Sequence, residues 1–484
     1  MPDTALNTCG STLHTARSRP VRRPWQRQRG AAAWVLAAAV AAGLPRPALP
    51  SCNSLGPSLA LRLRGAGVEN GVSVGAAGAA PRQPEPPAVV TAFEVKGAVD
   101  YDKLINEFGS QRISAALLER MERVTGQKPH LLLRRGFFFS HRDLEALLTL
   151  YEQGTPFYLY TGRGPSSESL HLGHLIPFIM TKWLQQAFGA PVVIQLTDDE
   201  KFLWKGGTLE EYGKYAEANA RDILAVGFDV ERTFLFKDTD AIHDLYPNVL
   251  RIQRSVTYSQ ARAAFGFVDS DSIGKVAFSA VQAAPAFSSS FPRLFPNHPD
   301  LPCLVPCAID QDPYFRITRD AAPKLGRRKP ALLHSKFIPA LQGEEGGGKM
   351  SGSEGATAIF LSDTPKQLAS KVNKHAFSGG QATLEEHRRL GGDPSIDVSF
   401  RYLEFFLEDD QELAEIAASY RSGALLSGEL KAKAIKCITG VLAHHQAARA
   451  EVTDALLEAV QTPRPLPLPT LTPRPQDPAP PSTV

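Results

Sequence analysis

The spacing of apolar positions divides the chain into regions of different character. From Tyr101 onward short β-rich runs alternate with longer stretches of helical period, beginning with a predicted helix over Tyr101–Phe108. Strands are predicted at 157–160, Val192–Leu196 and 234–236, then at 303–305 and 308–309. Helical patterns over 170–188 and 209–226 lie between the first three strands, as right-handed crossovers of a parallel sheet would. From Thr364 the strand signal stops, and helices are predicted at Val398–Phe406, 411–420 and 429–460. The pattern predicts an α/β fold: a Rossmann-like, doubly wound parallel sheet followed by a C-terminal all-helical domain.

The two ends have no such period. Residues 1–94 read as a disordered extension: between Asp3 and Glu69 there are nine arginines, no lysine and no acid. Arg17, Arg19, Arg22, Arg23, Arg27 and Arg29 precede the apolar run 31–44, which is too short to span a bilayer comfortably, and a Pro-rich linker follows at 81–88. Two readings stay open. One is a two-part targeting signal that routes the chain to a plastid-like organelle; the other is an uncut tail on a cytoplasmic protein with no membrane association of the mature chain. At the far end, residues 462–484 carry nine prolines and a duplicated Thr-Pro-Arg-Pro, predicting an extended tail over packed structure. The boundaries are therefore 1–94, 95–363 for the sheet domain with a helical insertion, 364–461 for the helices, and 462–484.

The chain has 484 residues and is 43% hydrophobic, enough for substantial cores. Its 53 basic and 50 acidic residues leave a net charge of only +3, so any nucleic-acid contact must use local patches. Five scattered cysteines do not form a disulfide framework, and Cys303 and Cys307 lack a second pair at ligand spacing, so no metal site is expected.

Two segments carry chemistry. The first predicted strand runs into Thr161-Gly162-Arg163-Gly164-Pro165, and a helix then opens with His171-Leu172-Gly173-His174. Glycines and the exposed N–H groups of a helix start suit a nucleotide phosphate, and His171 and His174, three apart, share one helix face. The second segment is the glycine-rich run from Gly343 through Lys349-Met350-Ser351-Gly352-Ser353. It reads as a loop able to close over a polyphosphate or, on composition alone, as a solvated surface loop.

His171-Leu172-Gly173-His174 resembles the HIGH signature, and Lys349-Met350-Ser351-Gly352-Ser353 the KMSKS signature, of class I aminoacyl-tRNA synthetases. Longer stretches at 157–167, 195–204, 266–285, 308–319 and 372–380 resemble the eukaryotic-type tryptophanyl enzymes. The resemblance spans about 101–465. It implies activation of tryptophan by ATP, with Mg²⁺ and no tightly bound cofactor, and transfer to tRNA(Trp) by a homodimer. It assigns catalysis to His171, His174 and Lys349, and ATP binding to these with Arg163, Gly164, Gly173, Met350, Ser351 and Ser353. Tyr160 and Gln195 would recognise the indole N–H, and Glu200, Gln282 and Gln311 the amino group. Asp198, Asp199 and Asp310 are equally well read as loop or capping carboxylates.

For tRNA, Lys371, Lys374, Arg388 and Arg389, with His375, form a candidate basic patch in a helical region that the resemblance implies reads the anticodon. Two departures stand out. Gly352 replaces the second lysine of the loop signature, and the accessory N-terminal helical module of some relatives has no counterpart in the arginine-rich extension. A tyrosyl enzyme is the nearest rival, but its substrate hydroxyl would favour a carboxylate where Tyr160 and Gln195 stand. A nucleotidyltransferase or a catalytically silent RNA-binding protein are more distant alternatives.

Overall fold

The computed structural model describes residues 99–343, 349–352 and 355–473, with the backbone of 89–90 and 95–96. All of these belong to one compact unit, Arg82–Val484. The arginine-rich segment, most of the glycine-rich run, Ser353 and residues 474–484 lie outside the described residues.

Seven strands form the main sheet: β1 (Gln111–Arg112), β2 (Phe138–Arg142), β3 (Tyr158–Arg163), β4 (Val192–Leu196), β5 (Thr233–Lys237), β6 (Cys303–Ala308) and β7 (Ala331–Ser335). Their order is β1-β2-β7-β6-β3-β4-β5. The five strands β7-β6-β3-β4-β5 are parallel, while β1 and β2 join antiparallel at one edge. The sheet is thus parallel in its body and mixed overall. Helix α1 (Tyr101–Phe108) precedes it, and α2 (Leu172–Phe188) and α3 (Leu209–Leu224) make the crossovers from β3 to β4 and from β4 to β5.

Alternation along each strand explains why helices cover both faces. Leu159, Val192, Ile194, Leu304 and Leu333 point into one core, and Tyr158, Tyr160, Val193, Val305 and Leu332 into the other. The first core is completed by α2 and α3, the second by α4 (Asp238–Ser255), α5 (Tyr258–Phe265), α6 (Ile273–Ala283) and α7 (Asp312–Ala321). The sequence pattern does not mark β2 or β7 as strands, and it splits β6 at Pro306. In the structure β6 runs unbroken through Pro306, because it pairs with β3 only at Tyr158↔Cys303 and Leu159↔Leu304 and then parts from it. Beyond Leu304 no N–H is needed on that side.

The helices after Thr364 are α8 (Pro365–His375), α9 (Leu384–Leu390), α10 (Val398–Phe406), α11 (Asp410–Arg421), α12 (Ser427–Ala450) and α13 (Asp454–Gln461). The predicted helix over 429–460 is broken at Thr453, whose hydroxyl caps α13 by accepting from the Leu456 N–H. These helices keep a small core of their own around Leu403, Tyr420 and Leu430. Yet Leu368, Val372, Tyr402, Ile438, Leu442 and Val460 join the same core as β4 and α2, so the helical region is packed onto the sheet. Polar ties support this. Gln446 on α12 donates to the Leu361 carbonyl, Leu361 N–H donates to Leu170 O at 2.8 Å, and Arg449 on α12 reaches Asp222, which accepts the Leu170 N–H.

Through Pro473 the Pro-rich tail forms no helix or strand, but its first part is packed, a correction to the disordered reading. Leu466 is buried in the second core and its N–H donates to Leu294 O at 2.9 Å; Arg464 donates to the Val230 and Thr233 carbonyls beside the edge strand β5. Leu466, with Leu468 partly buried beside it, supplies the apolar anchor that the density of prolines conceals. Among the described residues no helix is long and apolar enough to cross a membrane. Replacing Leu466 by Ala should cost about 2–4 kcal/mol, measured as a lower urea midpoint. An unchanged midpoint would show that the tail's first part carries no stability.

Candidate active site

An open parallel sheet binds ligands at the carboxyl ends of its strands where the strand order reverses. Here that point lies between β3 and β6, and their parting after Leu304 opens a cavity of about 520 Å³. It is lined from β3 by Gly162, Arg163 and Gly164, from the start of α2 by His171, Gly173 and His174, and from the loop by Lys349 and Met350. The two glycine-bearing turns are where side chains would not fit. A Cβ on Gly164 would collide with Lys201 and the Glu200 carboxylate, and one on Gly173 would lie 2.8 Å from Ile338 Cγ2.

The histidines are neutral. His171 caps α2, its N–H donating to His174 Nδ1 at 3.3 Å, and the rings stack with centroids 3.4 Å apart. Burial, aided by the Arg163 and Lys349 charges, lowers His171 to about 3 and His174 well below its ordinary value. Each therefore presents an N–H donor rather than a full charge. The cation is Arg163. Its guanidinium is buried, and burial lowers it only to about 10, so it stays charged, while Nε and Nη2 have no protein partner. Buried cationic N–H donors without a partner are costly even with the Glu200 charge nearby, and they mark a place that suits an anion. Lys349 Nζ rests 2.6 Å from Asp310 Oδ2 and 5.0 Å from the Phe337 ring centre. Gly352 lies against His171, and Ser353 is outside the described residues.

Deeper in the crevice lies a polar cluster among aromatic rings. Tyr160 O–H lies 2.5 Å from Gln195 Oε1 and 2.9 Å from the Gln282 carbonyl, while Gln282 Nε2 is placed to donate to the Tyr160 oxygen at 3.2 Å. Gln282, Tyr314, Phe315, Glu200 and Gln311 line the cavity; Tyr160 and Gln195 are fully buried behind that wall. Glu200 pairs with Lys201 at 2.7 Å and accepts from Thr197 Oγ1 at 3.0 Å. Behind Gln311, Asp312 anchors the start of α7. Burial would raise its carboxyl, but His334 at 3.1 Å and Arg142 at 2.9 Å hold it down at about 2.

Comparison with known proteins bears directly on this site. Residues 288–443 match the family model described as tRNA synthetases class I (W and Y). Human cytoplasmic tryptophan–tRNA ligase is 57% identical over 383 residues, 78% of this chain and 81% of that one. The enzyme of the same name from Schizosaccharomyces pombe is 54% identical over 380 residues, 76% of this chain and 96% of its own. The chain belongs to the tryptophan–tRNA ligase family. Among solved structures, Plasmodium falciparum tryptophanyl-tRNA synthetase superposes with a TM-score of 0.70 at 46% identity, covering 75% of this chain and 95% of that one.

In this tryptophan–tRNA ligase family member, Arg163, Gly164, His171, Gly173, His174, Lys349 and Met350 converge on one cavity while Ser351 is not in its lining, and the residues expected to meet RNA divide. Lys371 is held by Asp363 at 2.7 Å and by the Ala358 carbonyl, and Arg388 donates to the Gly423 and Ala424 carbonyls, so both are tied to the protein itself. Lys374 and Arg389 are exposed. Asp198 accepts from Thr239 N–H at 3.2 Å and from its hydroxyl, a capping role at the start of α4. Cys303 and Cys307 are buried thiols whose ionisation burial opposes. Among the described residues no group of three or more His, Cys, Asp or Glu is placed to hold a metal ion. Tyr314, Phe315 and Phe337 line the cavity and Asp238 accepts from Gln195 behind it, and none of the four belongs to a nucleotide-binding signature. Asp238 alone had a signal, being the acid next to the predicted 234–236 strand's carboxyl end.

The sign of the histidine effect follows from burial. Below about pH 6.5 the unfolded chain takes up protons on His171 and His174 that the folded chain refuses, so these two groups lower stability as pH falls from there toward about 3. Their ring ¹⁵N resonances should stay at neutral positions from about pH 5 to 8. A titration near 6.5 at either residue would mean the site tolerates an imidazolium.

Proposed function

We propose that this chain attaches tryptophan to tRNA(Trp). A carboxylate oxygen of tryptophan attacks the α-phosphorus of ATP, giving tryptophanyl-adenylate and diphosphate; the 3′-terminal ribose hydroxyl of the tRNA then attacks the acyl carbon and releases AMP. The observation that carries this reading is the buried Arg163 guanidinium, whose Nε and Nη2 have no protein partner, beside the two neutral histidines at the start of α2. The attacking carboxylate is already ionised, so activation needs alignment and charge stabilisation more than proton transfer. In this reading Arg163 and the backbone of Gly164 and Gly173 receive phosphate. His171 and His174 donate hydrogen bonds, and Lys349 exchanges Asp310 for the departing diphosphate, with Met350 and Ser351, and Ser353 by family position, shaping the loop. Mg²⁺ arrives with ATP, bound through phosphate oxygens and water.

The indole has a single N–H donor. Three oxygens, on Tyr160, Gln195 and the Gln282 main chain, crowd around one hydroxyl proton, a surplus of acceptors that a substrate donor relieves. Gln282, now on the Tyr160 oxygen, would turn with Glu200 and Gln311 to the amino group and open the way to it. Phenylalanine offers no donor and leaves the buried oxygens unpaired. Tyr246, Leu250, Tyr258 and Ile273 are exposed on the packed helices of the insertion between β5 and β6, which supports a homodimer through that face. The helical region, with Lys374 and Arg389 outward, is the proposed tRNA-facing part. The cytoplasm is the proposed location, without membrane association, in line with relatives named as cytoplasmic.

The test is amino-acid-dependent ATP–diphosphate exchange by the full chain with tryptophan, tyrosine and phenylalanine in parallel. Exchange with tryptophan alone is expected; exchange with tyrosine instead would overturn the pocket, and none would overturn the activity. Lys349→Ala and His174→Ala should each lower kcat by about 10²–10³-fold while the KM for tryptophan moves by less than about threefold. If the loss fell mainly on KM, the assigned roles would be wrong.

A further inference from the structure

The acceptor surplus at the end of the pocket exists only if Gln195 turns its oxygen, and not its nitrogen, toward Tyr160. A planar amide can present either end. On its far side Gln195 Nε2 donates to Asp238 Oδ1 at 2.7 Å and lies 3.5 Å from the Val281 carbonyl oxygen. A main-chain carbonyl only accepts, so that side must carry the N–H and Oε1 is left for Tyr160 at 2.5 Å.

We propose that Asp238 is a positioning residue for amino-acid selection: by accepting the Gln195 N–H it holds Gln195 Oε1 at the Tyr160 hydroxyl and keeps the end of the pocket an acceptor for the indole N–H. This deepens, and rests on, the reading of Tyr160 and Gln195 as the indole-recognising pair. Asp238 is the first residue of α4, at the carboxyl end of β5, and is fully buried. Its second oxygen has no hydrogen-bond partner, so the Gln195 N–H is the donor that fixes this carboxyl. Burial, then the nearby Asp199 charge, pushes Asp238 well above the ordinary carboxylate range. In either protonation state Oδ1 remains an acceptor for the Gln195 N–H, at 2.7 Å. Asn keeps a side-chain oxygen at this place for the Gln195 N–H, and Ala does not.

The experiment is ATP–diphosphate exchange by the full chain carrying Asp238→Ala or Asp238→Asn, with tryptophan and phenylalanine, beside Tyr160→Phe and Gln195→Ala. Asp238→Ala frees the amide to turn, so the KM for tryptophan should rise about tenfold or more and the preference over phenylalanine should fall about 10- to 100-fold. The KM for ATP should stay within about twofold, which a general structural defect would not spare. Asp238→Asn should recover the preference to within about threefold of the unmodified protein. A preference unchanged in Asp238→Ala, or lost as fully in Asp238→Asn, overturns the proposal. If Tyr160→Phe and Gln195→Ala both keep the preference, the pocket reading itself has failed, a result separable from any behaviour of Asp238.

Discussion

Two strands that share only two residue pairs before they separate set the plan of this molecule. Because β3 and β6 part after Leu304, the carboxyl end of the sheet opens at its point of reversed order, and everything chemical gathers there. The parting is also why Pro306 is tolerated in a central strand. On the β3 side it leaves Arg163 and the start of α2; on the β6 side it leaves Asp310, Gln311 and the Asp312 anchor. A ligand seated between them touches both halves of the sheet.

The residues of the crevice carry a built-in electrostatic tension. Arg163 is buried with two nitrogens unpaired, the histidines are kept neutral by burial and by neighbouring cations, and Lys349 is paired to Asp310 across the mouth. An anion relieves the first and competes for the last. A polyphosphate held there would resolve a cost already built into the fold, and its binding would stabilise the whole unit by mass action.

The helical region is part of this arrangement. Through Gln446 and Arg449, helix α12 holds the 359–361 segment and the Leu170 entry to α2 together, and those two segments bond each other on either side of His171. The packed start of the Pro-rich tail then covers the edge strand β5. Elements far apart in sequence thus fix the position of one helix terminus.

Much of this was legible in the chain. The strand and helix periods of β3, β4, β5, α2 and α10 follow from local apolar spacing, and the two signatures with their glycines follow from what phosphate binding requires of a backbone. Local pattern did not mark β2 or β7, because each is short and ends in polar residues, Ser140-His141-Arg142 and His334-Ser335, several of them paired only through tertiary contacts such as those to Asp312. It also joined α12 to α13 across a single capping threonine and treated the tail as unpacked. The residues expected to serve RNA were chosen by charge alone, and tertiary structure alone decided that Lys371 and Arg388 are committed to Asp363 and to main-chain carbonyls. The same holds for Gln195. Sequence names an amide that can donate or accept, and only the buried neighbours, Val281 O and Asp238, decide which end faces Tyr160, because the direction of a hydrogen bond is a property of both partners.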